Sequence, residues 1–306
     1  MAPRVSVIIP VRNVAPYVGE SVGSILAQSF GDFELIVVDD CSTDETGDIL
    51  RGMTDPRLRV VRNPAQMGAF ATFNVALEMA GGEIIACMEG DDIALPDRLA
   101  MQVRLMDSRP EVTVCGSDLE MFGAQTGLSD APQHDGDIKA MFLDAARNIF
   151  NPTAVVRHDF LRRNRVRWNP AWMICGDYAF WVDCMRHGAV FANVKAPLLR
   201  YRRHAEALSN KLDIKRTELF RVRRRLVADF FPHLTQRESD ALADLLTGRP
   251  VATASFTFAG VCEAVAAAVK AKAWTEPSFG ENRDVVNQIL DIHILRFQRA
   301  LLGQNG

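Results

Sequence analysis

Three carboxylates stand almost side by side in the stretch CMEGDDIALPDRL, residues 87–99. Glu89, Asp91 and Asp92 follow directly after the apolar run EIIACM. Side chains of like charge repel each other unless a positive group lies among them. Carboxylate oxygens suit Mg²⁺ or Mn²⁺, which usually complete their coordination shell with water and phosphate oxygens. The stretch therefore indicates a divalent cation that binds together with a diphosphate.

A second acidic pair, Asp39 and Asp40, follows the apolar run ELIVV. Ligands of open α/β sheets bind at the carboxyl ends of the parallel strands, so the two groups of acids are expected to share one crevice. An alternative for Asp40 is a capping role at the start of the next helix. The sequence contains neither a G-x-x-x-x-G-K-[ST] motif nor a G-x-G-x-x-G after its first strand, which argues against a P-loop and against NAD or FAD.

The elements that must position these acids alternate between strand and helix. Buried, β-branched runs are predicted strands, and amphipathic runs between them are predicted helices. This alternation, from the start of the chain to about residue 120, predicts a mostly parallel sheet flanked by helices. From about residue 208 the pattern is helical throughout. We predict a main α/β domain over 1–230, with halves 1–120 and 121–207, and a C-terminal helical region over 231–306.

Composition excludes several classes of protein. The 306 residues are 48% hydrophobic and 24% charged with a net charge of −3, so no basic field suggests a nucleic-acid partner. The six cysteines form no C-x-x-C pair, which argues against a zinc site or a disulfide framework and predicts a reducing, cytoplasmic location. The N-terminus enters a strand-like run directly, and we expect no signal peptide.

Taken in order, these motifs resemble the family 2 glycosyltransferases of GT-A fold. The likeness spans about residues 3–205, from VSVIIPVRN through ELIVVDDCSTDET and MEGDDIALPDRL to GDYAFWVDCM and the ending YRRH. It implies a Rossmann-like nucleotide-binding half followed by an acceptor half. The implied activity is inverting, hexosyl-type transfer of one sugar from a nucleoside-diphosphate sugar, with UDP as the typical nucleotide and Mn²⁺ or Mg²⁺ as cofactor.

The resemblance also implies roles for individual residues. Asp91 is the expected metal ligand in the D-x-D position, and His204 contacts the metal or the diphosphate. Asp177 is the expected general base that removes the proton of the acceptor hydroxyl. The expected nucleotide-binding residues are Pro10, Val11, Asn13, Asp40, Glu89 and Gly90.

The sequence departs from the family pattern at three positions. Phe73 stands where an arginine often precedes the asparagine equivalent to Asn74, so a diphosphate contact is either missing or supplied by Arg12 or Arg62. Glu89 is longer than the usual aspartate, and Gly176 replaces an acid. These departures motivate an alternative, a non-catalytic sugar-nucleotide binder or assembly protein of the same fold. A nucleotidyltransferase is disfavoured, because a glycine-rich, lysine-bearing loop is absent from the N-terminal region.

The acceptor and other partners are predicted more coarsely. A bacterial surface glycan or glycolipid is the expected acceptor, and the missing Q-x-x-R-W motif predicts single-sugar transfer. The basic stretch 211–230 has two interpretations, a solvated helix face or a peripheral contact with anionic lipid at the inner face of the membrane. The C-terminal helices are a candidate homodimer interface.

Overall fold

The structure, a computed structural model, describes residues 2–145, 148–204, 212–248 and 258–301. The chain divides into two compact units. The α/β unit comprises Met1–Gln133 and Ile149–Asn210, and the helical unit comprises His134–Asn148 and Lys211–Gly306. The basic stretch that the sequence placed at the end of the transferase domain therefore groups with the C-terminal helices.

In the described part of the α/β unit, nine strands form one sheet. Their bounds are β1 Val5–Val11, β2 Phe33–Asp39, β3 Leu58–Arg62, β4 Ile84–Cys87, β5 Ile93–Ala94, β6 Val114–Gly123, β7 Gly127–Leu128, β8 Val155–Arg157 and β9 Phe191–Arg203. The order is β3-β2-β1-β4-β8-β6-β9-β5, with β7 paired to β6. Strands β3, β2, β1 and β4 are mutually parallel, while β5, β7 and β8 pair antiparallel.

The register of the parallel strands explains why the acids meet. Val11 at the end of β1 pairs with Asp39 at the end of β2. Ile8 of β1 pairs with Cys87, the last residue of β4. Because the three strands run in the same direction, the residues that follow them emerge at one edge of the sheet. The predicted α/β fold with parallel strands in the first half of the chain is confirmed.

Helices cover the sheet and build the second unit. They are α1 Ala15–Leu26, α2 Thr46–Arg51, α3 Ala69–Met79, α4 Arg98–Ser108, α5 Asp135–Met141, α6 His158–Asn164, α7 Gly176–Arg186, α8 Leu212–Phe230, α9 Gln236–Thr247, α10 Phe258–Lys272 and α11 Arg283–Leu301. Helices α5 and α8 to α11 belong to the helical unit. None of the helices in the described residues combines the length and the apolar character needed to cross a membrane.

A stack of aromatic side chains packs α7 against α3. The Trp168 ring stacks on Phe73 at 4.9 Å and on Phe180 at 3.9 Å between ring centroids, and Phe180 meets the edge of Trp181. All four side chains are buried. Phe73 therefore packs in the core at the position where the family often has an arginine, and the stack fixes the helix on which Asp177 lies.

Gly176 is explained by a close approach from α3. A Cβ atom on Gly176 would lie 2.4 Å from the ring of Phe70. Any side chain at this position, including the usual acid, would displace that ring. The departure from the family pattern at Gly176 is therefore matched by Phe70, a large residue of α3 that occupies the space next to this glycine of α7.

In the helical unit, the basic helix α8 is less exposed than its composition suggests. Arg223 is buried and donates hydrogen bonds to the main-chain oxygens of Leu246 and Asp144. Arg224 forms an ion pair with Asp240. These arginines of α8 are therefore partly structural. The next helix, α9, begins with a capping box, in which Thr235 and Glu238 each satisfy the other's main-chain N–H.

The aromatic stack generates a stability prediction. Phe180→Ala should lower the free energy of unfolding by about 3–5 kcal/mol, because it removes a buried ring and leaves a cavity beside Trp168. Leu128→Ala is the control, since Leu128 is 68% exposed and its loss should cost less than about 0.5 kcal/mol. Urea unfolding measures both, and similar losses for the two variants would show that the stack contributes no special stability.

Candidate active site

A cavity of about 620 Å³ opens at the strand ends of the α/β unit. Most of the residues predicted to act at the site line it, namely Pro10, Asn13, Glu89, Gly90, Asp91, Asp177 and His204. Val11 and Asp40 are not among the lining residues. The exposed Arg12 also lines the cavity, whereas Arg62 does not. Of the two arginines considered for a diphosphate contact, Arg12 is thus the one in place.

The three carboxylates after β4 are held close together. One oxygen from each of Glu89, Asp91 and Asp92 lies within 4.8 Å of the others. Burial, followed by the charges of Asp91 and Asp177, raises the pKa of Glu89 to about 8. Burial and the charges of Glu89 and Asp91 also raise the pKa of Asp92 well above its usual value. The turn is therefore electrostatically strained in the absence of a cation.

The donor set of this turn fits a divalent cation. Asp92 is 1% exposed, and its Oδ2 atom is buried without a hydrogen-bond partner among the described residues. An orphaned carboxylate oxygen of this kind is costly unless a positive charge reaches it. Hard oxygen donors on three neighbouring side chains are the ligands that Mn²⁺ and Mg²⁺ prefer. Glu89, Asp91 and Asp92 would hold the ion.

A buried arginine lies behind the acidic turn. Arg98 is 0% exposed and donates a hydrogen bond of 2.7 Å to the main-chain oxygen of Cys87 at the end of β4. Burial lowers the pKa of Arg98 to about 10, so the side chain remains charged at neutral pH. Its charge lowers the pKa of Asp92, against the larger effect of burial. Arg98 therefore offsets part of the repulsion from inside the protein.

His204 approaches the acidic turn from β9. Its Nε2 atom lies 2.9 Å from Asp91 Oδ2, and its ring lies 5.2 Å from that of Tyr17. The sequence predicted both His204 and Asp91 as metal-site residues, and the structure brings them into direct contact. Although 113 positions separate them in the chain, β9 carries the histidine to the end of β4.

Arg202 fastens the same turn to β9. Its Nε donates to the main-chain oxygen of Asp91 at 2.8 Å, and its main-chain N–H donates to Asp92 Oδ1 at 2.8 Å. The guanidinium lies between the rings of Tyr17 and Phe122, at 4.7 Å and 4.5 Å from their centroids. The stacked guanidinium restricts the positions that the Asp91 main chain can adopt.

The pair after β2 has a different environment. Asp40 accepts hydrogen bonds from Asn63 Nδ2 and the main-chain N–H groups of Met67 and Gly68. Burial acts to raise the pKa of Asp40, but these hydrogen bonds outweigh it and the pKa lies below its usual value. Asp39 accepts from Ser42 N and pairs with Arg62. Neither residue caps α2, and both oxygens of Asp40 are engaged within the protein.

Asp177 reaches the cavity from the first turn of α7. Its Oδ1 accepts a hydrogen bond of 2.7 Å from the Tyr178 N–H. The positive end of the helix dipole favours the ionised carboxylate. The charge of Asp177 is felt at Glu89, which places the two groups on the same cavity.

Sequence reasoning missed several lining residues. Tyr201 lies beside the acids, and burial followed by their charges raises its pKa, so the phenol stays a neutral donor. Asn151 lies next to Glu89, while Phe70 and Met173 form an apolar wall near Asp177. The motif ending YRRH could have indicated Tyr201. Asn151 lies in an unremarkable run, FNPTAVV, and no spacing signal marks it.

Fold and site together define a transferase of the GT-A type. The sequence profile of glycosyl transferase family 2 matches residues 6–167, more than half of the chain. The chain belongs to glycosyl transferase family 2 and is a transferase enzyme.

Two relatives show the range of similarity. An uncharacterised glycosyltransferase of Haemophilus influenzae is 29% identical over 230 residues, which cover 71% of this chain and 70% of that protein. The Escherichia coli UDP-Glc:alpha-D-GlcNAc-diphosphoundecaprenol beta-1,3-glucosyltransferase WfaP is 27% identical over 210 residues, covering 67% and 79%.

Two solved structures share the fold. Staphylococcus aureus TarS 1–349 in complex with UDP-GlcNAc superposes with a TM-score of 0.65 at 17% identity, covering 98% of this chain and 88% of TarS. The mannosyltransferase PcManGT from Pyrobaculum calidifontis, in complex with GDP-Man and Mn²⁺, gives a TM-score of 0.59 at 17% identity, covering 100% and 89%. At these identities the comparison establishes the architecture.

The Arg202 contacts generate a prediction about cation binding. Arg202→Lys keeps the charge but removes the Nε donor to the Asp91 main chain. We expect Mn²⁺ affinity, measured by calorimetry, to fall roughly tenfold, the low end of losses seen when outer-shell partners of a metal site are removed.

The matched control is Arg200→Lys. Arg200 lies on the same strand, its guanidinium is 4.4 Å from the Phe122 ring centroid, and it pairs with Glu120 at 3.7 Å. Within the described part of the chain, no hydrogen bond or ion pair joins the Arg200 side chain to the acidic turn, so the variant should bind Mn²⁺ like the parent. Equal affinities for all three proteins would remove Arg202 from the cation site.

Proposed function

We propose that this chain is an inverting, metal-assisted glycosyltransferase. It moves one sugar from a nucleoside-diphosphate sugar, with UDP as the preferred nucleotide, to a hydroxyl of a glycan or glycolipid acceptor in cell-surface polysaccharide synthesis. The observation that carries the proposal is that the acidic turn and Asp177 line one cavity. Family membership, the UDP-GlcNAc complex of TarS and the lipid-linked acceptor in the name of WfaP support it.

The residues of the chain divide the work between the two substrates. Asp91, Glu89, Asp92 and His204 hold the end of the cavity that would receive the diphosphate, and Pro10 and Asn13 extend it toward the nucleoside. When bound, a divalent ion supplies the positive charge that stabilises the leaving diphosphate. Arg12, exposed at the cavity rim, is placed to add a further contact with phosphate oxygens.

Asp177 acts on the acceptor. In the proposed reaction the acceptor oxygen attacks the anomeric carbon, the bond to the diphosphate breaks, and the hydroxyl proton passes to the Asp177 carboxylate. A positioned carboxylate base of this kind accelerates proton transfer about 10²–10⁴-fold. The helix start that keeps Asp177 ionised also keeps it able to accept the proton. The apolar wall of Phe70 and Met173 limits water beside the attacking hydroxyl.

In this proposal the role of Asp40 is to hold a loop that shapes the pocket. The sequence resemblance assigned it a contact with the base, but its oxygens already accept three hydrogen bonds within the protein. By holding Met67 and Gly68, Asp40 orders the loop that leads into α3, whose residues Ala69, Phe70 and Phe73 line the cavity.

The proposal extends to location and partners. Acting on a lipid-linked acceptor would bring the chain to the inner face of the membrane, with the exposed basic residues of α8 against anionic lipid. A homodimer through the C-terminal helices is supported by apolar side chains exposed on α10 and α11, namely Val269, Ile292 and Leu295.

The first test concerns the cation and the nucleotide. UDP with Mn²⁺ should raise the melting temperature of the parent, because binding to the folded state stabilises it by mass action. Asp91→Ala should abolish the Mn²⁺-dependent part of this shift without unfolding the protein. Asp97→Ala, a nearby exposed aspartate outside the cavity, is the control and should keep the full shift. A full shift in Asp91→Ala would contradict the proposed cation site.

The second test concerns the base. Asp177→Asn keeps the size of the side chain but cannot accept a proton, so UDP release from the donor in the presence of acceptor should fall about 10²-fold or more. Binding of UDP and Mn²⁺ should be unchanged. Asp183→Asn on the same helix is the control, because Asp183 is not among the lining residues. Near-parental transfer by Asp177→Asn would place the base elsewhere, and UDP binding without turnover by the parent would favour the non-catalytic binder.

A further inference from the structure

Asn151 is a cavity-lining residue with a buried, unpaired polar atom. It opens the 3-10 turn Asn151–Thr153 just before β8, it is 3% exposed, and it lines the cavity. Its Oδ1 atom has no hydrogen-bond partner among the residues that the structure describes. A buried amide oxygen left in this state costs free energy, so most such atoms in folded proteins are paired.

The turn that carries Asn151 is well held. The main-chain oxygen of Asn151 accepts from the Ala154 N–H at 3.0 Å. Thr153 Oγ1 donates to Phe150 O at 2.8 Å and closes the same turn. The Asn151 side chain is close enough to Glu89 to lower the pKa of that carboxyl, against the larger raising effect of burial and of the neighbouring acids.

A second unpaired asparagine oxygen in the described residues, Asn287 Oδ1, lies on α11 of the helical unit and does not line the cavity. Asn151 combines burial, a missing partner for its Oδ1 atom and a position at the cavity that Glu89 and Asp91 also line. This combination points to a ligand that supplies a hydrogen-bond donor.

We propose that Asn151 Oδ1 accepts a hydrogen bond from a hydroxyl of the sugar that the nucleotide carries, and that Asn151 thereby selects the donor sugar. The inference rests on the proposed function. In that function the diphosphate lies against Asp91 and Glu89, and the group attached directly to the diphosphate is the sugar to be transferred. Asn151 lines the same cavity as Glu89 and Asp91, so the transferred sugar is the substrate group that would lie nearest to the unpaired oxygen.

The experiment compares two ligands on one protein. Calorimetry with Mn²⁺ measures the affinity for UDP and for the UDP-hexose that the parent binds most tightly among UDP-glucose, UDP-galactose and UDP-N-acetylglucosamine. Asn151→Ala should weaken binding of the UDP-hexose about five- to tenfold, the loss expected for one neutral hydrogen bond. Binding of UDP, which lacks the sugar, should change by less than about twofold.

Asn74→Ala is the matched control. The amide of Asn74 is fully used within the protein, since it donates to Trp168 O at 2.7 Å and accepts from Trp168 N at 3.1 Å. This variant should lose thermal stability but keep the ratio of the two affinities. An unchanged UDP-hexose affinity in Asn151→Ala would overturn the proposal. An equal loss for UDP would also overturn it, in favour of a role at the cation or the diphosphate.

A second measurement needs no variant. UDP-hexoses in which a single sugar hydroxyl is replaced by fluorine keep nearly the same size but cannot donate a hydrogen bond at that position. One such replacement should weaken binding to the parent about fivefold or more, because it places fluorine against the amide oxygen. Tolerance of fluorine at every position would contradict the proposal. Failure of the parent to bind UDP with Mn²⁺ at all is a separate outcome, which would overturn the proposed function and this inference with it.

Discussion

Repulsion among Glu89, Asp91 and Asp92 is the constraint on which the site depends. The end of β4 places three carboxylate oxygens within 4.8 Å of one another, and two of the groups have raised pKa values as a result of burial and mutual charge. Such a turn keeps its shape only if other parts of the protein hold it. Arg98 donates a hydrogen bond to the main chain of Cys87, and Arg202 donates one to the main chain of Asp91. Neither side chain donates a hydrogen bond to Asp92 Oδ2. These three carboxylates are the residues that would hold a divalent cation.

The same constraint explains the position of β9. This strand pairs with β6 in parallel and with β5 in antiparallel orientation, and its last residues reach the acidic turn. Arg202 and the following His204 both contact Asp91. Two side chains from the end of β9 therefore contact a turn that belongs to the first half of the chain. Tyr17 of α1 packs against both side chains and joins the first helix to the same cluster.

The wall of the cavity formed by α3 and α7 is determined by side-chain packing and not by charge. Phe70 occupies the space that Gly176 leaves, and Phe73 stacks on Trp168. Two of the three departures from the family pattern, Phe73 and Gly176, fall on this wall and are compensated by packing. The cavity is therefore charged where the diphosphate is proposed to lie and apolar where Phe70 packs against Gly176.

The sequence by itself determined the alternation of strands and helices, the parallel order of the first half and the acids at its strand ends. Hydrophobic periodicity and local spacing are sufficient for these features, because they depend on neighbours along the chain. It also predicted Asp91, His204 and Asp177 as site residues, and the structure places all three at one cavity. Only the tertiary structure decided that Asp40 is engaged internally, that Arg223 is buried, and that Asn151 lies beside Glu89 with one unpaired oxygen. These facts depend on which distant residues become neighbours. The local patterns FNPTAVV and RVRRRL do not indicate that a carboxylate will lie near Asn151 or that carbonyl oxygens will lie beside Arg223.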